Sequence, residues 1–93
     1  MNTQDFEARL KSEQFDEIVT VEKPPGYAMG DHQHPFEACA LITKGGITLL
    51  VGGVSTHYGV GDVFNLPAQT PHAENATLEG VTYLAGRKYP AKA

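Results

Sequence analysis

His32 and His34, separated by one residue, carry the clearest chemical signal in this sequence. On an extended strand both imidazoles would point to the same side, which suits chelation of one metal ion. Such a pair is weak evidence alone, because histidines are often exposed or hydrogen-bonded without a metal. A third histidine, His72, follows the corner formed by Pro67 and Pro71, which gives its side chain a defined direction. A β-barrel that brings the two stretches together would create a three-imidazole metal site.

Three imidazoles favour a divalent transition metal, Zn, Fe, Ni or Cu, over Mg or Ca, which prefer oxygen ligands. The sequence leaves the identity of the metal open. Three protein ligands leave a coordination position for water or a substrate, as in catalytic metal sites. The predicted site therefore suits either an enzyme or a protein that binds a small ligand.

The elements that would hold these histidines are short strands separated by Gly and Pro turns, an arrangement typical of a small barrel or sandwich. Residues 1–16 predict a short helical segment in which Phe6 and Leu10 form one apolar stripe. Residues 17–86 predict seven or eight strands of the barrel, and residues 87–93 predict a flexible polar tail. The expected architecture is a single all-β domain, residues 1–93, with a short N-terminal α-helix.

The pair Gly52-Gly53 separates two strand-like runs and predicts a two-residue hairpin. Its register pairs Val51 with Val54, Leu49 with Thr56, and Ile47 with Tyr58. His57 then falls on the face that points away from the barrel interior, so we exclude it from the metal set. A further turn is predicted at residues 44–46, and the extended segment 28–34 would carry the first two histidines.

Composition excludes several classes of function. The chain has 93 residues, a net charge of −4 and seven scattered basic residues, which argues against a nucleic-acid partner. No apolar run reaches the roughly 20 residues of a membrane span, so no membrane partner is expected. Residues 1–7 lack the basic and apolar segments of a secretory signal, and one cysteine cannot form an intrachain disulfide, so we expect a cytoplasmic protein.

Two motifs make the sequence resemble a small single-domain cupin of the conserved-barrel superfamily. The first motif is matched by Gly26, His32, His34 and Gly45, and the second by Gly61, Pro67 and His72. Together the motifs and their connection cover residues 26–76. The resemblance implies a cupin β-barrel, that is, a double-stranded β-helix or jelly roll, with His32, His34 and His72 as metal ligands. It says little about the reaction, because cupins host many activities.

The sequence departs from the cupin pattern at the carboxylate ligand. Ala38 occupies the position at which the motif places a glutamate, and Gln69 replaces a glycine of the second motif. Glu37 lies one residue early and would point to the opposite face of a straight strand, so it is an alternative ligand only if the turn at Pro35-Phe36 shifts the register. Glu74 lies two residues after His72 and shares its face, so it is the preferred candidate for a fourth ligand or a catalytic acid/base.

The strand that starts near residue 37 is apolar on both faces, so both faces need cover. Ala38, Ala40 and Ile42 would line the interior, where the two alanines leave space for a small ligand beside the metal. Cys39 and Leu41 would face outward, and the bland interpretation of Cys39 is a small buried hydrophobic residue. We expect a homodimer through this face, as is common in cupins, with the N-terminal helix as the competing cover.

The resemblance and the residues together predict a metal-binding protein with a small-molecule pocket inside the barrel. The leading hypothesis is a metal-dependent enzyme of the oxygenase or isomerase type, because three-histidine iron occurs in thiol-oxidising cupin dioxygenases. The alternative is a cupin that binds or senses a small ligand without catalysis. A third hypothesis is a relic that keeps the histidines but binds no metal.

Overall fold

The computed structural model describes residues 1–90, which form one helix and six strands. The elements are α1 Thr3–Ser12, β1 Glu17–Lys23, β2 Ala28–His32, β3 Glu37–Val51, β4 Val54–Gly59, β5 Val63–Leu66 and β6 His72–Lys88. All the strand pairs are antiparallel. The central path is β1-β6-β3-β4, and β2 also pairs with β6 while β5 pairs with β3. The predicted all-β class with one N-terminal helix is confirmed.

Two long strands, β3 and β6, pair along most of their length and organise the sheet. The predicted turn at residues 44–46 is wrong, because β3 continues through it as an irregular stretch of strand. Gly45 and Gly80 have positive φ angles of 64° and 76°, respectively, and a Cβ atom on Gly45 would clash with the carbonyl oxygen of Gly80. Glycine therefore lets both strands bend together at one point instead of ending there.

The hairpin between β3 and β4 has the predicted register. Val51 pairs with Val54, Leu49 with Thr56 and Ile47 with Tyr58. His57 is exposed, and its Nδ1 lies 3.4 Å from the Thr48 hydroxyl oxygen. Its exclusion from the metal set is therefore consistent with its position on the outer face.

The main hydrophobic core lies on the inner face of the curved sheet. Ala40 and Ile42 of β3 are buried there in one cluster with side chains of β5 and β6, and Ala38 packs against the same cluster. The cluster consists of Ala40, Ile42, Ile47, Leu49, Phe64, Leu66, Ala76, Val81 and Ala85. The alternation predicted for residues 38–42 is confirmed, and it leaves small side chains next to the histidines.

Helix α1 covers the outer face of β3. The Asn2 side chain caps the helix by accepting a hydrogen bond from the Asp5 backbone N–H at 2.8 Å. Phe6 and Leu10 are fully buried against Cys39 and Leu41. The competing cover is thus the one observed, and this face no longer supports the homodimer, which stays a prediction. Cys39 is buried, as expected of a small hydrophobic residue, and burial raises the pKa of its thiol.

Strand β6 runs two residues beyond the predicted barrel boundary at residue 86. Arg87 pairs with Glu17 of β1, and Lys88 pairs with Glu37 of β3. The Tyr89 backbone N–H donates to the Asp16 carboxylate at 2.7 Å. The predicted flexible tail is therefore wrong for Arg87 and Lys88, and residues 91–93 of that tail lie outside the described residues. Among residues 1–90, no helix is long and apolar enough to cross a membrane.

Candidate metal centre and adjoining cavity

His32, His34 and His72 converge at one end of the barrel. Their potential ligand atoms all lie within 4.8 Å of one another. The ring centroids are 5.0 Å apart for His32 and His34, 4.2 Å for His32 and His72, and 5.4 Å for His34 and His72. His72 is only 2 % exposed, whereas the other two are half-buried. The arrangement brings together the three histidines that the sequence singled out.

The strand pairing and one loop position these imidazoles. His32 ends β2 and His72 begins β6, and the two residues are direct partners across the antiparallel pair. His34 lies beyond the end of β2, so the predicted strand over 28–34 is two residues too long. Its carbonyl accepts from the Gln69 backbone N–H at 2.8 Å, which joins the two histidine stretches. Gln69 adopts φ 64°, a conformation that explains why glycine is usual at this motif position.

Hydrogen bonds to backbone carbonyls orient two of the rings. His32 Nδ1 lies 2.7 Å from the Gly30 carbonyl oxygen, and His72 Nδ1 lies 2.9 Å from that of Thr70. A carbonyl oxygen only accepts, so each Nδ1 must carry the proton that it donates. In a neutral ring Nε2 is then left with a lone pair, and this is the usual way in which a protein prepares a histidine for a metal.

Glu74 contacts both of these prepared nitrogens. Its Oε1 lies 3.2 Å from His32 Nε2 and 3.3 Å from His72 Nε2. Its Oε2 accepts from the Tyr27 hydroxyl at 3.2 Å, and the carboxylate is only 9 % exposed. The lone pairs of the two Nε2 atoms and the negatively charged Glu74 oxygen repel one another unless a cation lies between them. Ligands about 2.0–2.1 Å from a tetrahedral metal lie roughly 3.3–3.4 Å apart, so the observed spacing fits a shared metal ion.

His34 completes the set in a half-buried position beside the other two imidazoles. Burial lowers its pKa, and the neighbouring rings of His32 and His72 lower it further, while Glu74 opposes the shift. The ring stacks on Phe36 with centroids 4.9 Å apart and planes 14° from parallel. A lowered pKa keeps the imidazole neutral at pH 7, as a metal ligand must be.

Glu37, the other carboxylate considered, points away from the histidines. It accepts a hydrogen bond from Asn65 Nδ2 at 2.9 Å, whereas its neighbour Ala38 lines the interior. The alternation of a straight strand therefore describes this segment correctly. The carboxylate beside the imidazoles comes from Glu74 of β6.

A cavity of about 200 Å³ adjoins the three histidines. Its walls are mostly apolar, and they include Val21, Ala38, Ala40, Phe64, Leu66 and Ala85. Polar side chains also line it, those of Lys23, Tyr27, Tyr83 and Arg87. The sequence favours Tyr83 as a core or pocket-wall residue, whereas it assigns no role to the other three. Burial, followed by the charge of Glu74, raises the pKa of both tyrosines, so their hydroxyls stay protonated at neutral pH.

A simple signal in the sequence places Arg87 on the same face as Tyr83. Tyr83 and Arg87 are separated by an even number of positions, with Ala85 between them, so they share the inner face of β6. Extending the last predicted strand by two residues would have placed Arg87 in the cavity. Tyr27 and Lys23 lie on either side of the Pro24-Pro25-Gly26 turn, and no local pattern predicts their position.

Comparison with known proteins agrees with this fold. The family model described as "Cupin domain" matches residues 19–86. An unknown-function protein from Rhizobium leguminosarum superposes with TM-score 0.74 at 14% identity, covering 78% of this chain and 69% of the other. DMSP lyase DddQ from Ruegeria pomeroyi gives TM-score 0.70 at 26% identity, covering 82% of this chain and 39% of the other. Oxalate decarboxylase from Bacillus subtilis, described with Mn(II) centres, gives TM-score 0.66 at 25% identity, covering 82% of this chain and 22% of the other. A search of curated proteins found no significant match.

Proposed function

This chain belongs to the cupin family, and we propose that it is an enzyme that uses a divalent transition metal bound by His32, His34 and His72. One observation carries the proposal. Three imidazoles, whose potential ligand atoms lie within 4.8 Å of one another, adjoin a mostly apolar cavity of about 200 Å³. At about 30 Å³ for each water in the liquid, the cavity holds only a small molecule. Zn, Fe, Ni and Cu suit this donor set, and Mn(II) centres are described for the decarboxylase that this chain resembles.

Glu74 acts in this proposal as the fourth ligand and not as the catalytic acid/base considered from the sequence. Its Oε1 contacts two ligand nitrogens, and its Oε2 already accepts a hydrogen bond from the Tyr27 hydroxyl. Neither oxygen is then free to take a proton from a substrate. The glutamate thus supplies from β6 the negative charge that Ala38 of β3 lacks.

A metal in this site would supply Lewis acidity toward an oxygen-bearing substrate. The chain's own residues prepare the surroundings. The mostly apolar walls offer few partners to water beside a bound substrate, which strengthens electrostatic interactions there. The Tyr83 hydroxyl, which stays protonated, can donate a hydrogen bond to a substrate oxygen. Metal-dependent oxygenase or isomerase chemistry fits a metal that borders the cavity together with a protonated hydroxyl as hydrogen-bond donor.

The first test is elemental analysis of protein purified without chelators or a histidine tag. We expect close to one transition-metal ion per chain in the wild type and a loss of most of it in His34→Ala. His57→Ala is the matched control, because His57 is exposed and lies outside the cluster. Equal metal content in wild type and His34→Ala, or no metal after reconstitution, would refute the proposed site.

The second test separates an enzyme from a binding protein. Metal-loaded protein is screened for oxygen uptake with thiols and for conversion of small keto compounds. We expect turnover that His34→Ala abolishes and His57→Ala retains. Thermal stabilisation by a ligand without any turnover would instead favour the non-catalytic binding or sensing function.

A further inference from the structure

We infer that the cavity binds a small carboxylate, with the Arg87 guanidinium as its anchor. The inference rests on the proposed function, because the carboxylate-bearing ligand would lie beside the metal site. It adds the chemical class of the ligand and a residue that determines specificity.

Positive charge is concentrated in this cavity although the chain as a whole is acidic. The net charge of the protein is −4, yet Lys23 and Arg87 both line the cavity and Glu74 is the carboxylate that opposes them. Glu74 is already engaged by Tyr27 and by two imidazoles. With a divalent cation present, positive charges exceed negative ones inside the cavity. An anion is therefore the ligand that this environment attracts.

The Arg87 side chain contacts an aromatic ring and a carboxylate. Its guanidinium carbon lies 4.9 Å from the centroid of the Phe36 ring. Its Nη1 lies 3.5 Å from Oε1 of Glu17, with which it forms an ion pair. Phe36 in turn stacks on His34, so the guanidinium lies close to the metal ligands.

The ion pair with Glu17 leaves Arg87 available to a ligand. At 3.5 Å, with side chains 34% and 42% exposed, this is a loose surface pair of little energetic value. Glu17 also accepts the Tyr89 hydroxyl at 3.1 Å. A guanidinium carries five N–H donors, so one long contact leaves most of them unused. The planar fork matches a carboxylate in a bidentate geometry.

Lys23 lies at the other end of the cavity. It pairs with Val81 in the sheet, whereas Arg87 pairs with Glu17, so about six residues, or roughly 20 Å of strand, separate the two basic residues. Its ammonium lies 4.9 Å from the Tyr27 ring centroid, and no carboxylate of residues 1–90 forms an ion pair with it. One carboxylate cannot bridge both groups. Lys23 therefore contributes to the attraction of anions but does not anchor the ligand.

Titration calorimetry of metal-free and metal-loaded protein tests the inference with benzoate and succinate against their neutral amides, benzamide and succinamide. We expect at least one carboxylate to bind the metal-loaded protein at least about tenfold more tightly than its amide. Arg87→Gln should weaken that carboxylate by roughly 10- to 150-fold, the range for a hydrogen bond to a charged group. Arg87→Lys, which keeps the charge but loses the fork, should recover part of the affinity.

Three controls make the result specific. Arg9→Gln removes an equal charge from the exposed helix surface and should leave carboxylate binding unchanged. Lys23→Gln should weaken it by less than about threefold, the effect of a screened distant charge. Inorganic phosphate should bind more weakly than the preferred carboxylate.

The outcomes also separate this inference from the proposed function. Metal content should be equal in wild type and Arg87→Gln, because Arg87 is not a ligand. A protein that binds metal but prefers no carboxylate over its amide, or in which Arg87→Gln binds as well as wild type, would overturn the carboxylate assignment alone. Tighter binding of phosphate, or a larger loss in Lys23→Gln than in Arg87→Gln, would overturn it as well. A wild-type protein that binds no metal after reconstitution would instead refute the proposed metal site.

Discussion

Replacing Glu74 by Gln tests whether the carboxylate of β6 takes part in metal binding. The substitution preserves the shape of the side chain and can still accept the Tyr27 hydroxyl proton, but it removes the negative charge 3.2 Å and 3.3 Å from the two Nε2 atoms. Even outer partners of metal ligands change metal affinity by about 10- to 100-fold. We therefore expect Glu74→Gln to weaken metal binding by at least about tenfold.

This loss should appear as a smaller thermal stabilisation by the metal. At a metal concentration 100 times the wild-type dissociation constant, binding stabilises the native state by about 2.7 kcal/mol. A tenfold weaker variant at the same concentration gains about 1.4 kcal/mol. For a domain of this size each kcal/mol corresponds to roughly 4–8 °C, so the metal-induced Tm shift should shrink by about 5–10 °C.

The assay combines a metal titration, in competition with a chelating indicator, and thermal unfolding with and without metal. Glu37→Gln is the matched control, because Glu37 bonds Asn65 outside the cavity. It should leave both the dissociation constant and the metal-induced Tm shift unchanged. Equal effects of Glu74→Gln and Glu37→Gln would refute the reasoning, as would a Glu74→Gln variant with wild-type metal affinity.

Three further predictions concern pH, the strand bend and the helix. The pKa of His34 is lowered in the folded protein, so below the ordinary histidine pKa of about 6.5 the unfolded chain binds more protons than the folded one. The metal-free protein should therefore lose free energy of unfolding as the pH falls below that value. Urea unfolding at pH 5, 6 and 7 should show a smaller decline in His34→Gln than in the wild type. Gly45→Ala should lower the free energy of unfolding by roughly 2–5 kcal/mol, because it places a side chain in a left-handed conformation and against the Gly80 carbonyl. The control is Gly52→Ala, at φ 57° with open space around it, which should lower the free energy of unfolding by only about 1–2 kcal/mol. Similar losses in the two variants would contradict the role of the bend. Leu10→Ala should destabilise the fold by roughly 2–5 kcal/mol and expose Cys39, which Leu10 helps to bury. Maleimide labelling of Cys39, monitored by mass spectrometry, should therefore be faster in the variant. An unchanged labelling rate would show that the helix does not protect the thiol.

Local patterns in the sequence determine the strand-rich class, the capped helix and the β3–β4 hairpin. The Gly52-Gly53 pair and the alternation around it define which residues face each other, and so His57 lies outside as predicted. The three candidate metal ligands can also be predicted from the sequence, because His32 and His34 are close together and His72 follows a rigid corner. Each of these features depends on contacts between residues near in the chain or on side-chain direction along one element.

The continuity of the long strands depends on tertiary contacts that no local pattern contains. Gly45 resembles a turn residue in the sequence, yet its positive φ serves a bend that β3 shares with β6 at Gly80. Similarly, β6 continues past residue 86 because Arg87 and Lys88 pair with β1 and β3. Pairing with strands distant in sequence supplies hydrogen bonds to backbone that appeared, taken alone, to be a polar tail.

The sequence by itself determined that three imidazoles would meet in an all-β domain. Only the tertiary structure decided what surrounds them: Glu74 against two prepared nitrogens, Arg87 at the cavity, and helix α1 over the outer face of β3. The physical reason is that a side chain's face follows from its own strand, whereas its neighbours follow from the register between strands far apart in the chain.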